Sequence, residues 1–230
     1  MTGAAASLAS GGSPGPTVLL DLDGTLVDPG PGILRSVRHA LASLGRPVPP
    51  DRELRGVIGP PLRESLRRLL GGEDEVERAV AAYRAAYAGG GLFEAAPYAG
   101  IHDALARLRG AGYRLVVCTS KPWPFARQVV AHFGLAPRVE AVFGPELDGR
   151  LDDKGALLAH ALATLGLGAG DACMVGDRAQ DTRAARRNGL PSIGVTWGYG
   201  DRRELHEGGA TILCERVADL PRKVRAVLPR

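Results

Sequence analysis

The chain has 230 residues, 45% of them hydrophobic and 23% charged, with a formal charge of +4. That length holds one sizeable core plus a smaller appended module, and the balance is that of a soluble globular protein rather than a disordered or membrane-embedded one. The basic clusters Arg183/Arg186/Arg187 and Arg222/Lys223/Arg225 fall at helical spacing with no aromatic residues among them, so they read as solvated faces and nucleic acid is not expected as a partner.

Residues 1–16 are almost wholly Gly, Ala, Ser and Pro and carry no charge, which predicts a flexible tail and fits no signal peptide. No stretch approaches the roughly 20 apolar residues of a membrane span, so no membrane partner is expected. A first strand is predicted over 17–22, where Val18-Leu19-Leu20 runs into Asp21-Leu22-Asp23-Gly24-Thr25. From residue 30 to 95 the signals are helical only. Ile33, Leu34, Val37, Leu41 and Leu44 make one apolar stripe, Leu62, Leu66, Leu69 and Leu70 a second, and Val76, Val80, Tyr83 and Tyr87 a third. Asp51 is expected to N-cap a further short helix. Pro/Gly-rich segments at 28–32 and 93–100 bound this block as linkers.

Beyond it, strands are predicted at 113–118, 140–144, 172–176, 191–196 and 211–214. Helices alternate with them at 100–110, 122–133, 153–165, 179–188 and 216–227. Gly110, Gly134, Gly166 and Gly189 stand where helices should end. Such alternation predicts an α/β fold, a doubly wound parallel sheet with helices on both faces. Cys118, Cys173 and Cys214 lie far apart in apolar runs, as buried free thiols of a reducing, cytoplasmic setting would.

The chemistry-bearing residues gather at strand ends. Asp21 and Asp23 are two apart, share one face of an extended chain and repel each other unless a cation intervenes, which invites a divalent metal. The strand at 113–118 ends in Thr119-Ser120-Lys121. The strand at 172–176 ends in Gly176-Asp177, with Asp181 four residues on, and Lys154 opens an amphipathic stretch between them. Open α/β sheets place their sites at the carboxyl ends of strands. An all-oxygen donor set selects Mg²⁺ over zinc or copper.

The order Asp21/Asp23, Thr119, Lys154, Asp177/Asp181 resembles the haloacid dehalogenase superfamily on its phosphatase side. Thr119-Ser120-Lys121-Pro122, Val175-Gly176-Asp177-Arg178 and Gly194-Val195-Thr196-Trp197-Gly198-Tyr199-Gly200 are similar to phosphoglycolate phosphatase-like and 5′-nucleotidase-like members. The resemblance covers residue 17 onward. It implies a Rossmann-like core over 17–29 and 96–230, with a helical cap over 30–95 inserted after the first strand. It further implies a Mg²⁺-dependent phosphomonoester hydrolase acting through an aspartyl-phosphate on a small phosphorylated metabolite, such as a 5′-nucleotide, phosphoglycolate or a sugar phosphate. Asp21 would be the nucleophile and Asp23 the acid and base. Thr119, the Ser120 amide and Lys154 would hold the phosphoryl group. Mg²⁺ would take the Asp21 carboxylate, the Asp23 backbone carbonyl, Asp177 and Asp181.

Gly59-Pro60-Pro61-Leu62-Arg63-Glu64 is a candidate loop facing the core, from which Arg63 would reach the substrate; a solvated helix arginine is the competing reading. Two rivals stand beside the phosphatase. Phosphomutases share the core, but those of the superfamily carry a histidine about twelve residues past the nucleophile, where this chain has Ile33. A non-catalytic phosphate-binding module has no need of both Asp21 and Asp23. The sequence leaves the oligomeric state and the particular ester open.

Overall fold

The computed structural model describes residues 15–229. The predicted tail at 1–16 therefore lies almost wholly outside the described residues.

Strand β1 (Thr17–Leu20) is followed by the short β2 (Val27–Asp28) and four helices: α1 (Gly30–Ser43), α2 (Asp51–Leu54), α3 (Leu62–Leu70) and α4 (Val76–Ala88). The chain returns through β3 (Ala96–Pro97) and continues as α5 (Ile101–Gly110), β4 (Arg114–Cys118), α6 (Trp123–His132), β5 (Ala141–Phe143) and α7 (Lys154–Leu165). Last come β6 (Ala172–Gly176), α8 (Ala179–Arg187), β7 (Ser192–Val195), α9 (Arg202–Gly208), β8 (Ile212–Cys214) and α10 (Leu220–Val227).

Six strands form one parallel sheet in the order β5-β4-β1-β6-β7-β8, with Leu19 in register with Val116 on one side and Met174 on the other. Strand residues alternate between the faces. Leu19, Val116 and Met174 pack with Leu157, Leu158, Ala161 and Ala185 of α7 and α8. Val18, Leu20, Leu115, Val117 and Val175 pack with Leu105, Val129 and Val224 of α5, α6 and α10. Both faces are covered, which explains why these strands read as continuous apolar runs. The fold is thus α/β, a doubly wound parallel sheet with a helical insertion after the first strand.

The insertion shares the main core, because Ile33, Val37, Tyr83 and Tyr87 belong to the same apolar cluster as the sheet. It also has a small centre of its own, in which Leu66 of α3 meets Val76, Ala79 and Val80. Its stem departs from expectation. The two Pro/Gly-rich linkers are tied by an antiparallel pair, Val27 opposite Pro97 and Asp28 opposite Ala96. A proline is tolerated there because the pair has no further neighbour to receive an N–H.

Two other expectations need correction, and one element was not foreseen. Asp51 is not an N-cap: Pro50, extended at ψ 156°, precedes the helix, and the Asp51 carboxylate accepts from Arg38 instead. Gly110 lies inside the last turn of α5, and Gly112 takes the left-handed conformation beyond it. Helix α9, the unforeseen element, has no apolar stripe, since in seven residues only Leu205 and Gly208 are buried, and its signals are confined to its ends, the Asp201 cap and Gly209 beyond it.

Candidate active site

Asp21 lies one residue past β1, and its N–H still donates to Val175 O at 2.8 Å, prolonging the ladder by one rung. The next residues turn sharply. Gly24, at φ +83°, has no room for a Cβ, which would strike the Asp177 carboxylate. Glycine is therefore required both by conformation and by the approach of β6's end to β1's end.

Asp177 is fully buried. Its Oδ2 accepts from the Tyr199 N–H at 2.7 Å and its Oδ1 from the Thr25 hydroxyl at 3.3 Å. The Trp197–Gly200 segment is thus a brace for this carboxylate, and Trp197 Nε1 donates to Thr25 O at 3.1 Å in the same turn. Tyr199 also donates to Asp28 at the stem of the insertion. None of Thr25, Asp28, Trp197 and Tyr199 lines the pocket above Asp21 and Asp23.

Lys154 is the first residue of α7, whose N-cap Asp153 accepts from Ala156 N at 2.8 Å. Its buried ammonium donates to Asp21 Oδ1 at 2.6 Å and pairs with Asp181 Oδ1 at 2.9 Å. Burial alone would lower the lysine's pKa, but Asp181 and Asp21 outweigh it and hold the group firmly protonated. Asp181 Oδ2 accepts from Arg178 N at 3.1 Å.

Oxygens of Asp21, Asp177 and Asp181 lie within 4.8 Å of one another, all buried. Burial first, then the neighbouring carboxylates, hold Asp177 well above the ordinary carboxylate range. Burial likewise lifts Asp181 to about 6 against the pull of Lys154. Were all three carboxylates ionised, the single ammonium of Lys154 would leave an excess of two negative charges in a buried space, which is why burial and mutual repulsion favour the protonated forms of Asp177 and Asp181 until a cation enters. A hard divalent cation fits that donor set and that charge.

Asp23 points away from this cluster. Its Oδ2 accepts from the buried Lys121 ammonium, while its Oδ1 is buried with no hydrogen-bond partner. Burial raises its pKa, Lys121 opposes the rise and Asp21 adds to it. Thr119 is buried at the end of β4, and its Oγ1 accepts from Lys121 N at 3.2 Å.

A pocket opens above Asp21 and Asp23. Thr119, Ser120, Lys121 and Phe125 line it from the sheet side, and Ile33, Leu62, Arg63, Tyr83 and Tyr87 from the insertion. Arg63 is not on a loop: Pro61 precedes α3 and Arg63 sits in its first turn. The side chain does line the pocket, but its guanidinium bonds Glu77 at 2.7 and 3.2 Å and stands 3.8 Å from Asp152.

Every residue singled out from the sequence thus converges on one place, Asp21, Asp177, Asp181 and Lys154 below and Asp23, Thr119, Ser120 and Arg63 around the pocket. Sequence reasoning placed Lys121 in the strand-end motif without giving it a role, and it gave none to Tyr87. The Tyr87 hydroxyl lies 2.6 Å from Lys121 Nζ, and the ammonium sits 5.0 Å from the tyrosine ring centroid. Tyr83 and Tyr87 had been read as part of an apolar stripe. Two phenols in such a stripe were the available signal, because a buried hydroxyl needs a partner.

The haloacid dehalogenase-like hydrolase family matches residues 18–195. A 5′-nucleotidase of Pseudomonas aeruginosa is 42% identical over 206 residues, covering 89% of this chain and 93% of the relative. The tyrosine-protein kinase PtkA of Mycobacterium tuberculosis is 41% identical over 196 residues, covering 85% and 67%. The crystal structure of a predicted phosphatase from Clostridium acetobutylicum superposes with a TM-score of 0.89 at 38% identity, covering 93% of this chain and all of that one. The chain belongs to the haloacid dehalogenase-like hydrolases and is a phosphatase of that family.

Proposed function

We propose that the protein hydrolyses small phosphomonoesters with Mg²⁺ through an aspartyl-phosphate on Asp21. The observation that carries this reading is the buried Asp21 carboxylate at the pocket floor, anchored to Lys154 at 2.6 Å and flanked by Asp177 and Asp181, with the free oxygen of Asp23 nearby. The Asp21, Asp177 and Asp181 carboxylates and the Asp23 backbone carbonyl would hold Mg²⁺. When bound, the ion would neutralise charge on the transferring phosphoryl group.

Asp21 attacks phosphorus, and the bond from phosphorus to the ester oxygen breaks. The departing oxygen keeps the electron pair and takes a proton from Asp23, and the alcohol leaves. Water then gives a proton to the Asp23 carboxylate and attacks the aspartyl-phosphate. The bond from phosphorus to Asp21 breaks, releasing phosphate and restoring both side chains. A raised pKa suits Asp23 to the first step, in which it must hold its proton. Lys154 holds the Asp21 carboxylate in place at 2.6 Å and has a third N–H to offer a phosphoryl oxygen, and Thr119 with the Ser120 amide offers further donors.

Residues 30–95 act in this reading as a cap that closes over the ester. Ile33 supports hydrolysis rather than a mutase reaction, since it supplies an apolar wall and no proton-carrying group. Nucleic acid and membranes have no part in the reading, and among the described residues no helix is long and apolar enough to cross a bilayer. A cytoplasmic setting is supported by Cys118, Cys173 and Cys214, which are buried and unpaired.

The test is phosphate release from adenosine 5′-monophosphate, phosphoglycolate and glucose 6-phosphate, with Mg²⁺ or EDTA, for the wild type and Asp21→Asn. The name of the Pseudomonas relative puts the nucleotide first, and that of the mycobacterial one adds an arm with ATP and a tyrosine peptide. We expect cation-dependent release that Asp21→Asn lowers by on the order of 10⁴-fold or more. Turnover surviving Asp21→Asn removes the nucleophile assignment, and phosphorylation of the peptide redirects the reading to transfer.

A further inference from the structure

We infer that Lys121 is a positioning residue for Asp23 and that the Tyr87 hydroxyl sets it, so that the acid is aligned only while α4 lies over the pocket. The inference rests on the proposed acid role of Asp23 and adds to it a device that links that role to closure.

Lys121 is 7% exposed and follows directly on the strand end that carries Thr119. Its backbone is fixed from two sides. Its N–H donates to Thr119 Oγ1 at 3.2 Å, and Gly144 packs so closely on its carbonyl that a Cβ there would approach to 2.5 Å. From this fixed base the ammonium makes two contacts, one to Asp23 Oδ2 and one to Tyr87 Oη at 2.6 Å. Tyr87 is itself held by a stack on Tyr83, at 5.3 Å between ring centroids, and by an edge contact with Phe125 at 5.7 Å.

The contacts run in one direction. Tyr87 belongs to the insertion, whereas Lys121 and Asp23 belong to the sheet side. A lysine side chain has four rotatable bonds, so one contact to Asp23 would not hold the ammonium in place. The second contact, from the phenol, removes that freedom. With Oδ2 bound, the Asp23 carboxyl cannot rotate, and Oδ1 is left buried without a partner in the wall of the pocket. An unpartnered buried oxygen costs free energy unless something arrives to pair with it. In the proposed reaction that partner is the ester oxygen of the substrate. If α4 swings away, Tyr87 leaves Lys121 and Asp23 loses its fixed orientation, so the ester bond is not protonated in an open pocket.

A residue that orients a general acid has a signature that a substrate contact or a packing role lacks. Its loss should slow esters whose alcohol needs a proton and largely spare esters whose leaving group departs as a stable anion. The experiment compares kcat and KM for adenosine 5′-monophosphate and p-nitrophenyl phosphate, using wild type, Asp23→Asn, Lys121→Met, Lys121→Arg and Tyr87→Phe, with folding checked by circular dichroism.

We expect Asp23→Asn to lower kcat for the nucleotide by about 10²- to 10⁴-fold and for the aryl ester by far less. Lys121→Met should follow the same split at about 10²-fold. Tyr87→Phe, which keeps the ring and loses one oxygen, should show it at about three- to tenfold, and Lys121→Arg should recover part of the loss. If Asp23→Asn slows both esters equally, the acid assignment fails and the inference with it. If Asp23→Asn splits them but Lys121→Met and Tyr87→Phe slow both equally or change only KM, the acid assignment stands and the positioning role is overturned. Should Lys121→Met fail to fold, Tyr87→Phe carries the decision alone.

Discussion

The floor of the pocket and its roof are held by different kinds of bond. On the floor, Asp21 and Asp177 stand at the ends of strands buried on both faces and Asp181 in the first turn of α8, each fixed by a backbone amide at 2.7–3.1 Å or by the ladder itself. The roof meets the sheet side through side chains: Ile33, Val37, Tyr83 and Tyr87 in the shared apolar cluster, and the individual contacts of Tyr87 to Lys121, Arg84 to Leu147 O, Arg178 to Ile58 O, and a Phe93–His132 stack at 4.3 Å. Backbone ladders cannot be broken without unfolding, whereas single side-chain contacts open at modest cost. The floor is therefore built to hold repelling charges in place, and the roof to hold a position that can be given up.

The sharpest way to break that comparison is to remove a charge from the floor. Asp177 has its pKa raised by burial first and then by Asp21 and Asp181, so the folded chain binds a proton there more tightly than the unfolded chain does. Stability of the cation-free protein should therefore fall as pH rises from the ordinary carboxylate range, about 4, through the raised value, and Asp181 at about 6 adds in the same direction. A divalent cation needs the ionised forms, so its stabilisation should be large near pH 8, about 2.7 kcal/mol at a hundredfold excess over Kd, and small near pH 5.

Asp177→Asn should lower turnover by on the order of 10²-fold or more, yet raise the cation-free melting temperature near pH 8 by about 2–4 °C per kcal/mol of relieved repulsion. Thermal melts at both pH values, with and without Mg²⁺, check this. A cation increment of undiminished size in the variant would take Asp177 out of the metal site.

The same division explains what could be read from the sequence. Strand β1 and its Asp21-Leu22-Asp23-Gly24-Thr25 turn and the strand ends at Thr119 and Asp177 are legible because each combines an apolar run with a polar stop in consecutive residues, and Lys154 because it opens an amphipathic stretch just after an acidic cap. Lys121–Tyr87 was not legible, because the two lie 34 residues apart and meet only when α4 packs on the sheet side. The β2–β3 stem is a pairing of two-residue strands across the whole insertion, too short for any period to register. Arg63 was placed near the site, but its commitment to Glu77 on the neighbouring helix depends on how α3 and α4 pack.

A smaller change to the floor leaves its charges intact. Gly198 lies so close to the turn after β1 that a Cβ would strike Gly24 O and the Asp177 side chain. Gly198→Ala should cost about 1–3 kcal/mol and reduce turnover together with stability. Gly72 in the insertion has nothing within 4 Å of the same added atom, so Gly72→Ala should stay within about 0.5 kcal/mol and leave kcat unchanged. Denaturant melts of the pair measure this difference, and equal costs would show that the floor has slack the packing does not reveal.

The smallest expected effect belongs to the roof. Arg63 lines the pocket but shares its guanidinium with Glu77, whose side chain is 70% exposed, and an exposed pair of this kind contributes only about 0–1 kcal/mol. Arg63→Ala should therefore leave the melting temperature nearly unchanged. In our reading Arg63 reaches a distal anionic group of the substrate, so the variant should raise KM for phosphoglycolate by about three- to tenfold with kcat unchanged, the mark of uniform binding. For glycerol 3-phosphate, which has no second anion, KM should hardly move. Glu77→Gln supplies the opposite sign: with its partner neutralised, Arg63 is released to the pocket and KM for phosphoglycolate should fall. If neither variant distinguishes the two esters, Arg63 belongs to the packing of α3 on α4, and the roof selects its substrate through the aromatic wall of Tyr83, Tyr87 and Phe125 instead.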